Sequence, residues 1–205
     1  MRILIATSNA GKLRDFAGAA AVYGVDIAAL PNFKTLPEAV EDGLTFEANA
    51  RKKSEHYSRY APGELVLADD SGLAVDALGG APGVYSARYA AMEGAQGAEL
   101  DADAANNALL LRKLAGVGDE SRTGRFVCVL SLARDGREVA SFRGEALGRI
   151  LHAAQGGGGF GYDPLFYFPA LGKSFAELSA EEKAAVSHRG AAVRKMLEWA
   201  RGNNP

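Results

Sequence analysis

Arg134-Asp135-Gly136 lies between two strand-like runs, residues 125–133 and 137–143. An Asp-Gly pair between alternating apolar residues is a hairpin signal, because both residue types tolerate the positive φ that a tight antiparallel turn needs. An antiparallel hairpin in mid-chain argues against a purely parallel, doubly wound sheet. The flanking segments are nevertheless of the strand–helix kind. Residues 2–6 (RILIA) read as a buried strand, and Leu13, Phe16, Ala20 and Tyr23 recur at helical spacing over 11–23. A second strand is expected at Asp26–Leu30. Thr45 is positioned to cap a helix carrying Phe46, Ala50, Ser54 and Tyr57 on one face, closed by Pro62-Gly63.

Further along, residues 64–69 read as a strand, Asp69-Asp70-Ser71-Gly72 as a turn, and Leu73–Ala77 as a second apolar stretch. Gly79-Gly80-Ala81-Pro82-Gly83 is a loop that needs unusual backbone angles. A helix spans Leu100 to Leu114, Gly144–Leu151 extends the sheet, and Leu165–Phe168 is a short strand. Ser179 with Glu182 is a capping-box pattern. A last amphipathic helix starts at Ser187–Gly190 and carries Val193, Met196, Leu197 and Ala200. The expected class is α/β: an elongated mixed sheet flanked by helices.

With 205 residues, 48% hydrophobic and 23% charged, the chain can bury a substantial core and is not disordered. The length suits one domain of two lobes, residues 1–205. A net charge of −2 gives no global basic character for binding duplex nucleic acid, so an anionic ligand must be met by local charges. The one cysteine, Cys128, cannot form an intrachain disulfide and points to a reducing cytoplasm. It sits in the strand-like RFVCVLSL as a small buried residue. The apolar run at the N-terminus has five residues, too short for a signal peptide or a membrane span.

Four constellations could carry chemistry. In Thr7-Ser8-Asn9-Ala10-Gly11-Lys12 a strand leads through a small polar loop into a helix start, where free N–H groups, the helix dipole and Lys12 would attract an anion. The same pattern also describes a helix cap with a surface lysine. It is not a Walker A loop, since Leu13 stands where that motif has a hydroxyl. Leu67-Ala68-Asp69-Asp70-Ser71-Gly72-Leu73 sets two carboxylates at the end of an apolar run. That is either an ordinary polar turn or a metal or acid/base site. Glu41-Asp42-Gly43 with Glu47 lies before and at a helix start, where acidic residues favour the dipole or join Asp69 or Asp70 around a divalent cation.

Phe160-Gly161-Tyr162-Asp163-Pro164 follows a glycine run. It offers a stacking face and a close backbone approach to a flat ligand, or is a turn with a packed aromatic. Lys183 with Ser187-His188-Arg189-Gly190 adds donors near a helix start, or is a solvated surface. His56 and His152 have no partner in the pattern, and no His/Cys spacing indicates zinc. Together these features suit hydrolysis of a nucleoside polyphosphate, with a cation on the phosphates and a carboxylate orienting or deprotonating water.

ATSNAGK, EDGLTFEANA, LADDSGLAVDALGGAPGVYSARYA, GGGGFGYDPLF and ELSAEEKAAVSHRG occur in this order between residue 6 and about residue 190. On these motifs the chain resembles the inosine triphosphate pyrophosphatase-like enzymes, the noncanonical purine NTP pyrophosphatases of the bacterial dITP/XTP type. The resemblance implies a two-lobed α/β fold with the active site in the cleft between the lobes, and a homodimer. It implies hydrolysis of ITP, dITP and XTP to the nucleoside monophosphate and pyrophosphate with Mg2+, clearing deaminated purines from the nucleotide pool. It carries the triphosphate to Thr7, Ser8, Asn9 and Lys12, and the general base and a metal contact to Asp70. Glu41 becomes the other metal carboxylate and Ser71 a substrate contact. Phe160, Gly161, Tyr162, Asp163, Lys183, His188 and Arg189 match base-recognition positions. Many members carry Glu two residues after the Phe of LTF; here that position is Ala48, with Glu47 beside it. Pyrimidine or modified nucleotides as substrates, or a regulator that binds without turnover, are the competing readings.

Overall fold

The computed structural model of the chain describes residues 1–8, 13, 16, 25–94 and 101–203. Its sheet has seven strands in the order β2-β1-β3-β4-β5-β6-β7. β1 (Arg2–Ile5), β2 (Asp26–Ala29) and β3 (Leu65–Val75) run parallel, with Ile5 opposite Ala29 on one side and Leu67 on the other. β4 (Thr123–Arg134) and β5 (Arg137–Ile150) form the expected hairpin. Asp135 and Gly136 both hold positive φ, 52° and 79°, as a two-residue turn of the primed type requires. β6 (Phe166–Phe168) and β7 (Lys173–Ser174) continue antiparallel. Residues 144–150 do extend the sheet, as the second half of β5.

The helices among the described residues are α1 (Phe46–Ser58), α2 (Tyr89–Met92), α3 (Ala102–Lys113), α4 (Ala180–Val186) and α5 (His188–Gly202). Their starts follow the sequence signals. Thr45 Oγ1 accepts the Ala48 N–H, Asp101 caps α3, Ser187 Oγ accepts the Gly190 N–H, and Ser179 and Glu182 exchange both bonds of a capping box. The helix expected over 11–23 falls largely outside the described residues; Leu13 and Phe16 are helical, and Phe16 is fully buried. No helix among the described residues is long and apolar enough to cross a membrane.

One expectation is overturned. Asp69-Asp70-Ser71-Gly72 is not a turn but the middle of β3, which runs unbroken to Val75. β1 accompanies β3 only as far as Leu67, so it is β4, the neighbour on the other side, that keeps this polar, glycine-containing stretch extended.

The chain divides into two compact units, Met1–Asp70 with Cys128–Gly144 and Ser187–Pro205, and Ser71–Val127 with Glu145–Val186. In the first, Ile3, Ile5, Leu65 and Leu67 pack with Cys128, Leu130 and Leu132 against Val193, Met196 and Leu197 of α5. The intervening Leu4 and Val66 pack with Tyr57 of α1 on the opposite face. Both faces are covered, so these strands read as continuous apolar runs. The second unit packs Leu73, Val75, Leu110 and Leu114 around Phe126, Phe166 and Phe175, whose ring centroids lie 4.5–5.6 Å apart.

Candidate functional site

In the first unit the Ala6 N–H donates to the Leu67 carbonyl (2.8 Å), so Thr7 and Ser8 leave β1 beside the point where β3 reaches Asp69 and Asp70. The carboxyl ends of parallel strands are where open α/β sheets collect their ligand loops. Ser8 is exposed and Thr7 half-buried; Asn9 and Lys12 lie outside the described residues. Asp69 and Asp70 are 7% and 8% exposed, and Ser71 half-buried.

A buried carboxylate needs a positive partner. For Asp70 this is Lys53 of α1, whose Nζ lies 2.9 Å from Asp70 Oδ1 and 3.0 Å from Glu41 Oε2. Lys53 is the functional residue that the reading of the motifs missed, hidden in the Arg51-Lys52-Lys53 run. Its one signal is position: it stands three after Ala50 and four before Tyr57, on the buried stripe of an amphipathic helix. Burial pulls its ammonium down. The charges of Asp70, Asp69 and Glu41 outweigh this and hold it above the ordinary lysine range. Asp70 moves up as well, since burial and its acidic neighbours Glu41 and Asp69 outweigh Lys53.

Glu41 is held by the turn that follows it. The buried Asn49 side chain accepts the Gly43 N–H (2.8 Å) and donates to the Gly43 carbonyl (3.3 Å). A Cβ on Gly43 would lie 2.6 Å from Asn49 Oδ1, so the turn requires glycine. The other acidic residues of this segment are engaged elsewhere: Asp42 pairs with Lys52, and Glu47 with Arg143 Nη1 at 2.5 Å. Glu47 is thus engaged by β5 and not by Lys53.

Glu41 and Asp70 fit a hard divalent cation. Both direct an oxygen to one point now held by an ammonium, and Asp70 Oδ2 is buried with no hydrogen-bond partner. No group of three or more His, Cys, Asp or Glu that could hold a metal occurs among the described residues. An ion at this pair would complete its shell with water or ligand oxygens.

In the second unit the loop before β6 is organised by Asp163, which is buried. Asp163 Oδ2 accepts the Phe160 N–H (2.9 Å) and forms an ion pair with Lys183. Lys183 Nζ lies 5.3 Å from the centroid of the Phe160 ring, a cation–π contact. Phe160 is 50% exposed, so it is not packed into the core. Tyr162 is the opposite case. Its hydroxyl donates to the Ser86 carbonyl (2.8 Å), and burial pushes its phenol well above the usual range. Its side chain anchors the loop and leaves only backbone to meet a ligand.

His188 and Arg189 open α5 in the first unit, 4% and 7% exposed, and are not a solvated surface. β5 and α5 meet there backbone to backbone: a Cβ on Gly144 would lie 2.1 Å from the His188 carbonyl oxygen and 2.5 Å from the Ala192 nitrogen. Gly144 is a second residue the motifs did not point to. His56 and His152 lie apart from these groups, on the Pro37 carbonyl (2.8 Å) and on Asp119 (2.5 Å).

Fold and site define an α/β protein with a mixed sheet and a carboxylate–lysine centre on its parallel strands. The chain belongs to the Ham1 family, whose model matches residues 3–199. It is 54% identical over 198 residues to the dITP/XTP pyrophosphatase of Acidobacterium capsulatum, covering 96% of this chain and 97% of that protein. It is 50% identical over 196 residues to the dITP/XTP pyrophosphatase of Exiguobacterium sibiricum, at 96% and 95% coverage. Among solved structures it is similar to the Staphylococcus aureus Ham1 protein, with a TM-score of 0.84 and 38% identity over the whole of both chains. It is also similar to a HAM1 protein from Coxiella burnetii, with a TM-score of 0.85 and 33% identity over 98% and 99% of the two chains.

Proposed function

We propose that this chain is a nucleoside triphosphate pyrophosphatase. It hydrolyses noncanonical purine nucleotides, dITP, XTP and ITP, to the nucleoside monophosphate and pyrophosphate. The observation that carries the reading is Asp70, a buried carboxylate with one oxygen on Lys53 and the other without a partner, next to Glu41. The relatives named dITP/XTP pyrophosphatase, half identical over nearly the whole chain, supply the substrate class.

In this reading Asp70 orients and deprotonates the attacking water, and its upward shift brings it closer to the pH at which a base works. Glu41 and Asp70 would hold Mg2+, which supplies charge neutralisation on phosphate oxygens when bound. Lys53 bridges the two carboxylates and holds them adjacent, and Lys12 with the hydroxyls of Thr7 and Ser8 and the Asn9 amide binds the phosphate chain. Ser71, next along β3, is a further substrate contact. Phe160 stacks on the base, with the Gly161 and Tyr162 backbone, Asp163 and Lys183 around it. His188 and Arg189 are donors for a purine 6-oxo group; adenine, with an amino group there, would leave them unpaired. The enzyme is expected to act as a cytoplasmic homodimer, with residues 1–205 as one domain.

A nucleotide panel tests the reading: pyrophosphate release from ITP, dITP and XTP against GTP, dTTP and UTP, with and without Mg2+. Preference for the inosine and xanthosine nucleotides, dependent on Mg2+, is the expected result. Preference for dTTP or UTP would overturn the substrate class, and binding without turnover would overturn the reaction.

A further inference from the structure

The loop 155–161 holds five glycines in seven residues, so its backbone has more freedom to lose than an ordinary loop of that length. Yet the half-exposed Phe160 ring is useful for stacking only if this backbone is fixed. Part of the fixing is local: the Phe160 N–H is held by Asp163, and the Gly158 N–H donates to the Ala176 carbonyl (3.0 Å). A further part comes from α3, more than fifty residues away in sequence. Asp103 Oδ2 accepts the Gly161 N–H (2.7 Å), and Asn107 Nδ2 donates to the Gly161 carbonyl (2.9 Å).

Asp103 and Asn107 are four residues apart, which puts them on one face of the helix. They grip both polar groups of one residue, and that residue holds a left-handed φ of 61°. Asn107 Oδ1 is buried without a hydrogen-bond partner. Among the described residues the Gly161 carbonyl is therefore the one hydrogen-bond partner this amide has, and an apolar side chain would otherwise suit the place better.

We propose that Asp103 and Asn107 are positioning residues that clamp Gly161 and thereby hold the Phe160 ring as a preorganised stacking platform for the nucleobase. The proposal rests on the reading of Phe160 as a base contact. Because the clamp acts through the loop and not on the phosphates, it governs base-dependent affinity and leaves the chemical step alone.

The test compares wild type, Asp103→Ala, Asn107→Leu and the conservative Asp103→Asn, which retains an acceptor. Asp103→Ala and Asn107→Leu should raise KM for ITP about tenfold, the effect of one hydrogen bond to an ordered loop, with kcat within about twofold. Inhibition by the product IMP should weaken in parallel, inhibition by pyrophosphate should not change, and Asp103→Asn should recover most of the loss. Amide exchange at Gly161 in the free protein should quicken about tenfold in Asp103→Ala, with global stability unchanged. KM and IMP inhibition at wild-type values, or pyrophosphate inhibition weakened equally, would overturn the proposal. If wild type fails to bind IMP, the base-recognition reading is what fails. The exchange rate then decides the clamp alone, an unaltered rate ruling it out.

Discussion

Asp70 and Lys53 show how a charge can be kept inside a sheet. An isolated carboxylate there would shed its charge; the ammonium at 2.9 Å opposes this without cancelling the effect of burial. The expected outcome is that the Asp70 carboxyl, followed by 13C NMR in the metal-free protein, titrates above the ordinary aspartate range. In Lys53→Met it should titrate higher still, since the lowering contribution is removed. The sign has a consequence for stability. A folded-state pKa above the unfolded one means that Asp70 favours the fold most at low pH, and that this contribution is lost as pH rises through its folded value. A titration at or below the ordinary aspartate range in the wild type would contradict the account of the site. At this scale the sequence was partly legible. The carboxylates stood out as paired charges at the end of an apolar run and before a helix, whereas Lys53 sits in a run of basic residues that also describes a solvated helix face. His188 and Arg189 offered donors, but their burial depends on what packs over α5, which the local pattern does not contain.

Among the elements, the hairpin was legible because the Asp-Gly turn encodes its own geometry at two adjacent positions. The continuity of β3 was not, because polar residues and glycine are ordinary turn signals and only the neighbouring strand β4 overrides them. The contact of β5 with α5 was equally hidden. A glycine inside a strand can mark a bulge, a weak position or a close backbone approach, and only the fold tells which. Here it is close approach, so Gly144→Ala should be costly for its size. A methyl group 2.1 Å from the His188 carbonyl forces the two elements apart, at about 1–3 kcal/mol of stability by the usual scale of overpacking. Urea denaturation measures this directly, and an unchanged midpoint would show that α5 does not sit on Gly144.

Across the whole molecule, a net charge of −2 means that nothing global draws a polyanion to this protein. The attraction must be local, as must the neutralisation of the carboxylates on β3. Saturating Mg2+ with IMP or pyrophosphate should therefore raise the melting temperature, by mass action on the folded state. The α/β class and mixed sheet followed from the mid-chain hairpin between strand–helix units, whereas the seven-strand order required long-range pairing that no local pattern specifies. The most direct test of the central claim is 31P NMR of the products formed from XTP with Mg2+. The account predicts xanthosine monophosphate and pyrophosphate in equal amounts, with the rate reduced at least about a hundredfold in Asp70→Asn, the usual contribution of a general base. Xanthosine diphosphate with orthophosphate, or full turnover in Asp70→Asn, would contradict it.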